Sequence, residues 1–194
     1  DGKGMIISEL RKALETHDVR LIYIVTDFQN PTGITWTRER RAEFMEVVDE
    51  FEVPVIEDNP YGELRYEGEY LPSLTTFDTK NLVCSLGTFS KTFAPGFRLG
   101  WIAANPLFIE KAGSVKQNMD YPQHRFHSVF AKLGFKTSIL MRMYNLSLNC
   151  TKVAVMLCLK LLMSSSLRKL PILILKEGFS SGVPYRNSLN LVIF

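Results

Sequence analysis

The first part of the chain alternates between two hydrophobic patterns. Nearly continuous apolar runs rich in β-branched residues predict buried strands over 20–27, 53–58 and 81–88, and a further strand over 98–105. Apolar residues spaced three or four apart predict helices from about Ser8, after Thr37 and from Pro106. Because strands and helices follow one another in βαβ order, the expected fold class is α/β with a largely parallel sheet.

The helix after Thr37 has the most complete set of signals. Thr37 is a typical N-cap residue, and Glu39 stands in the first turn, where an acidic side chain is favourable. Its apolar stripe, which we expect to face the sheet, consists of Phe44, Val47, Val48 and Phe51. Residues 65–81 are a polar excursion rich in turn residues, after which the sheet resumes.

The charge distribution divides the chain into two parts. Residues 1–128 carry 19 acidic and 14 basic side chains, whereas residues 129–194 carry one acidic side chain, Glu177, and nine basic ones. The basic side chains of the second part are scattered among Leu, Ile and Ser without a cluster, apart from the adjacent pair Arg168 and Lys169. Nucleic acid is therefore not an expected partner of this segment, since such surfaces cluster their basic residues.

Neither a membrane span nor a metal site is predicted. The longest apolar run, from Val153, is interrupted by Lys160 and is shorter than the stretch of about 20 residues that spans a bilayer. No signal peptide pattern opens the chain, and Cys84, Cys150 and Cys158 lack metal-ligand spacing. Free thiols are typical of a reducing compartment, so the expected location is cytoplasmic.

Three unusual sequences stand where strands are expected to end. They are NPTG at 30–33, DNPYG at 58–62 and SK at 90–91. In an open parallel sheet, ligands bind at the carboxyl ends of the strands. We therefore expect these three segments to form one site.

Lys91 is the candidate nucleophile of this site. An ordinary lysine amine, with a pKa of about 10.4, attacks an aldehyde only after losing its proton, which a neighbouring cation such as Arg98 would favour. The hydroxyls of Thr88 and Ser90 and the guanidinium of Arg98 are suitable donors to a phosphate. A lysine beside a phosphate site suggests pyridoxal phosphate. The alternative is a solvated lysine in a loop, with Arg98 beginning the next strand.

Asp58, Asn30 and Tyr61 each have two interpretations. Asp58 is either a turn residue or a carboxylate that pairs with a protonated ring nitrogen, which makes the ring an electron sink. Asn30 is either part of a β-turn or a donor to a phenolate oxygen of the cofactor. Tyr61 is either a core residue or a second donor to that oxygen. The order and spacing of the three segments favour the functional interpretation.

These motifs, NPTG, D-x-x-Y and S-K-x-x-x-P-G-x-R-x-G, resemble the class I/II pyridoxal-phosphate-dependent aminotransferases of fold type I. The chain is most similar to the aminoadipate, kynurenine and aromatic aminotransferase group, because Arg98 follows Lys91 by seven positions with Pro95-Gly96 between them. The resemblance covers about residues 1–128. It implies part of the large domain of this fold, a three-layer α/β structure with a mostly parallel sheet.

The resemblance also implies a role for each residue around the cofactor ring. Lys91 would form the internal aldimine and move the proton, and Asp58 would pair with the pyridine nitrogen. Asn30 and Tyr61 would hold the 3-oxygen of the ring. Lys91, Asp58 and Tyr61 would be the catalytic residues.

The cofactor phosphate would be bound by Thr88, Ser90 and Arg98, although the family commonly has Ser at the position of Thr88. Full-length members transfer an α-amino group from an amino acid to a 2-oxo acid, and they are homodimers with a site at the subunit interface. The resemblance implies the same substrates and assembly for the parent protein.

The sequence after about Phe130 does not resemble the family. At that point the family has a long helix, a Pro-Glu-Gly-Gly-aromatic strand and an arginine that binds the substrate carboxylate. In the family, a phosphate-binding turn and an aromatic residue that stacks on the ring lie upstream of the position that corresponds to Asp1. We therefore expect a fragment that does not transaminate by itself, with residues 129–194 poorly packed.

A change of reading frame would explain this second part. Permitted codons for Lys176 to Gly182, read one base earlier, encode Gly-Gly-Leu-Phe-Ile-Trp, which resembles the missing strand. We predict that the frame slips between about His127 and Gly134, so that 129–194 is out of frame and is not a recognisable domain. The alternative is a genuine, divergent C-terminal domain.

Two further functions remain open. A pyridoxal-phosphate-dependent lyase on the same fold would keep every candidate residue. The effector domain of an aminotransferase-like transcriptional regulator would have its DNA-binding domain upstream of Asp1. A winged-helix segment in the full gene would identify the regulator.

Overall fold

The computed structural model describes residues 1–119 and eight helical, exposed positions between residues 142 and 157. The predictions for the tail, including the poor packing of 129–194 and the frame slip, lie outside the continuously described residues. No helix in the described part of the chain has both the length and the hydrophobicity to cross a membrane.

The described strands form one four-stranded sheet in the order β1-β2-β3-β4. The pairs β1–β2 and β2–β3 are parallel, and β3–β4 is antiparallel. This confirms the prediction of a mostly parallel sheet. The last strand is antiparallel because a short connection joins it to β3, whereas parallel neighbours need a long crossover. The strands are β1 Ile22–Ile24, β2 Val55–Asp58, β3 Val83–Thr88 and β4 Gly100–Ala103.

Four α-helices accompany the sheet within residues 1–119. They are α1 Ile7–Thr16, α2 Arg38–Phe51, α3 Phe89–Thr92 and α4 Pro106–Met119. The predicted cap of α2 is confirmed, since the Thr37 Oγ1 accepts a hydrogen bond from the backbone N–H of Arg40 at 3.3 Å. The prediction that a helix begins with Pro106 at its first position is also confirmed. The short helix α3 corrects the interpretation of residues around Lys91 as a loop.

The core lies between one face of the sheet and the helices α1 and α2. Ile22 and Ile24 of β1, Val55 of β2 and Val83 of β3 belong to the same buried cluster as the stripe on α2. Phe44, Val47 and Val48 are buried as predicted, and Phe51 is partly buried at the margin of the cluster.

The prediction of a buried strand over 20–27 is too long, and two of its large apolar side chains, Leu21 and Tyr23, are exposed. Only Ile22–Ile24 pairs in the sheet, and Tyr23 is 59% exposed on the face opposite the core. The chain leaves the sheet after β1 because Phe28 has a positive φ of 48° and the backbone turns back, with the Trp36 N–H donating to the Thr26 carbonyl at 2.9 Å. The strand predicted over 98–105 is likewise limited to Gly100–Ala103, because Arg98, which was expected to begin it, has φ 51° and caps a short 3-10 turn instead.

Candidate functional site

Asp58 ends β2 at the carboxyl edge of the sheet. It pairs with Leu86 of β3, and the pairing continues one step further through the backbone N–H of Asn59 to the Leu86 carbonyl at 3.0 Å. The hydroxyl of Tyr23 donates a hydrogen bond to Asp58 Oδ2 at 2.6 Å. Among the described residues the second carboxylate oxygen, Oδ1, accepts no hydrogen bond, so one oxygen of Asp58 is held in place while the other is available to a ligand.

The hydrogen bond with Asp58 changes the titration of Tyr23. Donation to a carboxylate, together with desolvation and the negative charge of Asp58, raises the pKa of Tyr23 to about 12. Each of these effects opposes loss of the phenolic proton. Tyr23 therefore remains a hydrogen-bond donor to Asp58 throughout the neutral pH range.

Tyr61 and Lys91 are brought together by packing of α3 against the 3-10 turn Gly62–Leu64. The Nζ atom of Lys91 lies 6.0 Å from the centroid of the Tyr61 ring. Tyr61 is partly buried, which departs from the interpretation of this residue as core, and Lys91 is exposed. The amine thus stands over an aromatic ring that follows Asp58 by three positions.

Thr88, Ser90 and Arg98 lie at the end of the β3–β4 hairpin. Thr88 pairs with Gly100, and the pairing continues through the Phe89 N–H to the Leu99 carbonyl at 3.0 Å. The Thr88 Oγ1 accepts from the Ser90 N–H at 3.1 Å and donates to the Leu99 carbonyl at 3.4 Å. Ser90 and Arg98 consequently lie on the two sides of one hairpin end, with the Arg98 side chain exposed.

A pocket of about 300 Å³ opens between these elements. It is lined by residues from the turn after β2, from the end of β3 and from α3 and β4: Asn59, Pro60, Glu63, Gly87, Thr88, Phe89, Thr92 and Trp101. Of the seven predicted site residues, only Thr88 lines it. The pocket therefore adjoins the predicted site and does not coincide with it.

In the described structure, Asn30 makes no contact with the other predicted site residues, among which the structure shows direct contacts for Lys91 with Tyr61 and for Thr88 with Ser90. Asn30 is exposed in a turn closed by the Gly33 N–H donating to the Gln29 carbonyl at 2.6 Å. Gly33 has φ 70°, in the left-handed region that glycine adopts without strain. The turn that the first interpretation of Asn30 requires is therefore present. The exposed position that the second interpretation requires is present as well.

Sequence reasoning missed two features near the site. The sequence predicts Tyr23 only as one residue of a buried strand. The signal for its role is that a phenol replaces an aliphatic side chain within this strand, on the same face of the sheet as Asp58. The second feature is a buried charged cluster around Asp27 and Arg41, which are 2% and 0% exposed. No sequence pattern identifies that cluster, because its members are distant along the chain.

Residues 1–138 match the protein family described as aminotransferase class I and II. A relative in Thermococcus litoralis, "Aromatic-amino-acid aminotransferase 1", is 42% identical over 136 residues, which are 68% of this chain and 33% of the relative. In Bacillus subtilis, "Uncharacterized HTH-type transcriptional regulator YisV" is 34% identical over 119 residues, which are 61% of this chain and 24% of that protein.

The solved structure of Pyrococcus horikoshii kynurenine aminotransferase in complex with PMP matches with a TM-score of 0.76 and 34% identity, covering 84% of this chain and 42% of that one. The likeness confirms the predicted fold class, and the ligand agrees with the predicted cofactor at the level of the family. The chain spans less than half the length of each of these three proteins. The match over residues 1–138 shows that the chain belongs to the class I and II aminotransferase family.

Proposed function

We propose that this chain is the cofactor-binding part of a pyridoxal-phosphate-dependent aminotransferase that moves an α-amino group from an amino acid to a 2-oxo acid. The observation that carries the proposal is the position of the Lys91 amine over the ring of Tyr61, which itself follows Asp58 by three residues. The chain that contains this arrangement belongs to the class I and II aminotransferase family. As part of the same proposal, the parent protein acts in the cytoplasm as a homodimer.

The donor set of the described site fits pyridoxal phosphate. The hairpin end offers the hydroxyl of Ser90 and the guanidinium of Arg98 as donors to a phosphate, beside the already hydrogen-bonded Thr88. Asp58 keeps one unoccupied carboxylate oxygen that suits a protonated pyridine nitrogen. The exposed amine of Lys91 suits attachment to an aldehyde.

When bound, the cofactor supplies an electron sink for the carbanion left by removal of an α-proton. The residues of this chain would orient and assist it. Asp58, whose carboxylate is held by the hydrogen bond from Tyr23, would pair with the ring nitrogen, and Tyr61 and Asn30 would donate to the ring oxygen. Lys91 would accept the α-proton and return it, which is general acid–base catalysis by a positioned amine.

The test is cofactor attachment. The 194-residue chain is incubated with pyridoxal phosphate, the product is reduced with borohydride, and peptides are analysed by mass spectrometry. We expect the mass increase on the peptide that contains Lys91, and its loss in Lys91→Ala. Lys12→Ala, which removes an exposed lysine of α1, is the matched control and should leave the labelling unchanged.

Labelling at another lysine, or undiminished labelling in Lys91→Ala, would reject the assignment of Lys91. A wild-type chain that captures no cofactor at all would reject the proposal that these residues form its binding site. Both of these outcomes are detected by mass spectrometry of the labelled peptides, so neither depends on a measurement of amino transfer.

A second candidate is the effector domain of a transcriptional regulator. It is supported by the relative in Bacillus subtilis, which is described as an HTH-type regulator. The two candidates differ in what the gene encodes before Asp1. Sequencing the gene upstream tests this: a winged-helix segment there favours the regulator, and an aminotransferase N-terminal segment favours the enzyme.

A further inference from the structure

A buried cluster of charged side chains lies beneath the turn that carries Asp58 and Tyr61. Arg41 Nη2 and Arg65 Nη2 donate to Asp27 Oδ1 at 2.9 and 3.3 Å. Arg41 is 0%, Asp27 2% and Arg65 7% exposed. Buried charges of this kind are costly unless they are paired and hydrogen-bonded, so the position of the Asp27 carboxylate is strongly constrained.

The cluster is extended by a second carboxylate on the core-facing side of β2. Glu57, which is 0% exposed, accepts hydrogen bonds from Thr26 Oγ1 at 2.8 Å and from Ser85 Oγ at 2.9 Å, and also from the Ser73 hydroxyl. Two arginines and two carboxylates thus balance in charge within the described core. The cluster joins β2, β3 and the segment after β1 to α2 and the segment before β3.

Asn59 connects this cluster to the turn. Its Nδ2 donates to Asp27 Oδ2 at 3.3 Å, and its Oδ1 accepts from the backbone N–H of Gly62 at 2.8 Å. The orientation of the amide is determined by these partners: a flipped amide would place oxygen against a carboxylate and NH₂ against an N–H. The side chain of Asn59 is therefore held at both ends.

The contact between Asn59 and the turn is close. A Cβ at Gly62 would lie 2.5 Å from both the nitrogen and the oxygen of the Asn59 amide, so the backbone of the turn packs directly on this group. On the other side, Asn59 is the residue after Asp58 and continues the pairing with β3. A displacement of the Asn59 side chain would shift the turn that sets Tyr61 under Lys91.

We propose that Asn59 is a positioning residue of the cofactor site, which transmits the fixed position of the Asp27–Arg41–Arg65 cluster to Asp58 and Tyr61. The inference rests on the proposed function for the roles of those two residues. The link itself is a property of the chain without cofactor, so the two proposals are separable by experiment.

Two substitutions separate the link to the cluster from local support of the turn. Asn59→Ala removes both hydrogen bonds. Asn59→Asp keeps an acceptor for the Gly62 N–H but places a carboxylate against Asp27. If only the local hydrogen bond matters, Asn59→Asp behaves as wild type; if the link matters, both variants loosen the turn. Asn81→Asp, an exposed asparagine remote from the cluster, is the matched control.

The first measurement is amide hydrogen exchange of the 194-residue chain without cofactor. We expect exchange at Gly62 and Leu64 to become about tenfold faster in Asn59→Ala and Asn59→Asp, as loss of one buried hydrogen bond predicts. Amides in the middle of α2 should be unchanged. The double variant D27N/N59D exchanges the amide and the carboxylate of this contact, so that residue 27 donates to residue 59. The net charge of the cluster is conserved, and slow exchange should be restored.

The second measurement is the yield of borohydride-trapped pyridoxal phosphate at Lys91, which we expect to fall in both single variants and to recover in D27N/N59D. Wild-type exchange in Asn59→Asp, or no recovery in the double variant, would overturn the proposed role of Asn59. Equal acceleration across α2 would also overturn it, because Asn59 would then stabilise the whole fold. A wild-type chain that traps no cofactor would refute the proposed function, while the exchange comparison would still decide the link.

Discussion

The hydrogen bond from Tyr23 to Asp58 can be followed by the titration of one phenol. The pKa of Tyr23 is raised from the ordinary value of 10.0 to about 12, first by the hydrogen bond to Asp58 and then by desolvation and the charge of that carboxylate. We expect Asp58→Asn to return this pKa towards its ordinary value, because the charged acceptor is lost. The pKa of Tyr23 is obtained by titrating the phenolate absorbance and subtracting the titration of the same protein with Tyr23→Phe, both in wild type and in Asp58→Asn. Asp18→Asn, which changes an exposed aspartate, is the control.

The same shift has a consequence for stability. A folded-state pKa above the unfolded value means that the contribution of Tyr23 is fully present below pH 10.0 and is lost as the pH rises through about 12. The stability difference between wild type and Tyr23→Phe in urea should therefore shrink across this window. A difference that is constant from pH 9 to above 11, or a Tyr23 that titrates at its ordinary value, would show that the hydrogen bond is not retained in solution.

Gly87 provides a second prediction at the residue scale. A Cβ at this position would lie 2.1 Å from the ring of Trp101, which packs on the bare backbone of β3 across the hairpin. Gly87→Ala must displace the indole, and overpacking of this kind costs about 1–3 kcal/mol. We expect a lower free energy of unfolding in urea. Trp101 is already 42% exposed, and its displacement should expose it further and shift its fluorescence to longer wavelength.

Gly96→Ala is the control for this change, because a Cβ at Gly96 meets no atom within 4 Å. It should leave both the fluorescence and the unfolding midpoint close to those of wild type. If Gly87→Ala also left both unchanged, Trp101 would not occupy the position over β3 that the structure gives it.

At the scale of elements, α2 depends on the side chain that begins it. The Thr37 Oγ1 satisfies the N–H of Arg40, one of the N–H groups at the helix start that lack an intrahelical partner. Thr37→Ala should lower the free energy of unfolding by about 1 kcal/mol, the usual cost of losing such a cap. Thr37→Ser keeps the oxygen and should lose much less, and equal losses in the two variants would show that the hydroxyl does not cap the helix.

At the scale of the whole molecule, the proposed site is open to solvent. Lys91, Arg98 and Asn30 are all exposed, and the chain spans less than half the length of its relatives. Catalysis of this kind depends on donors held in place in a site that excludes water. We therefore expect the 194-residue chain to attach pyridoxal phosphate but to show no measurable amino transfer.

The measurement uses the purified chain with cofactor, an aromatic amino acid and a 2-oxo acid, and it follows formation of the new 2-oxo acid. A full-length relative assayed in parallel shows that the assay detects transfer. Turnover by the 194-residue chain that disappears in Lys91→Ala would contradict the prediction and show that the exposed site is sufficient for amino transfer.

Local signals in the sequence were sufficient for most elements. The Thr37 cap, the first position of α4 at Pro106 and the period of the α2 stripe depend on residues within a few positions of one another, so they were readable before the structure. The motif residues also had a fixed order along the chain. Their placement at the ends of β2 and β3 followed from the βαβ order, since parallel strands bring their carboxyl ends to one edge.

Contacts between distant residues were decided only by the tertiary structure. The sequence predicts Asp27 only as the end of a strand and assigns Arg41 no role, yet the two form a buried ion pair because the turn after β1 folds back onto α2. Tyr23 reaches Asp58, and Asn59 reaches Asp27, across gaps of about thirty positions that carry no periodic signal. Hydrophobic period and turn chemistry are properties of neighbouring residues and determine elements, whereas the partner of a polar side chain depends on which elements pack together.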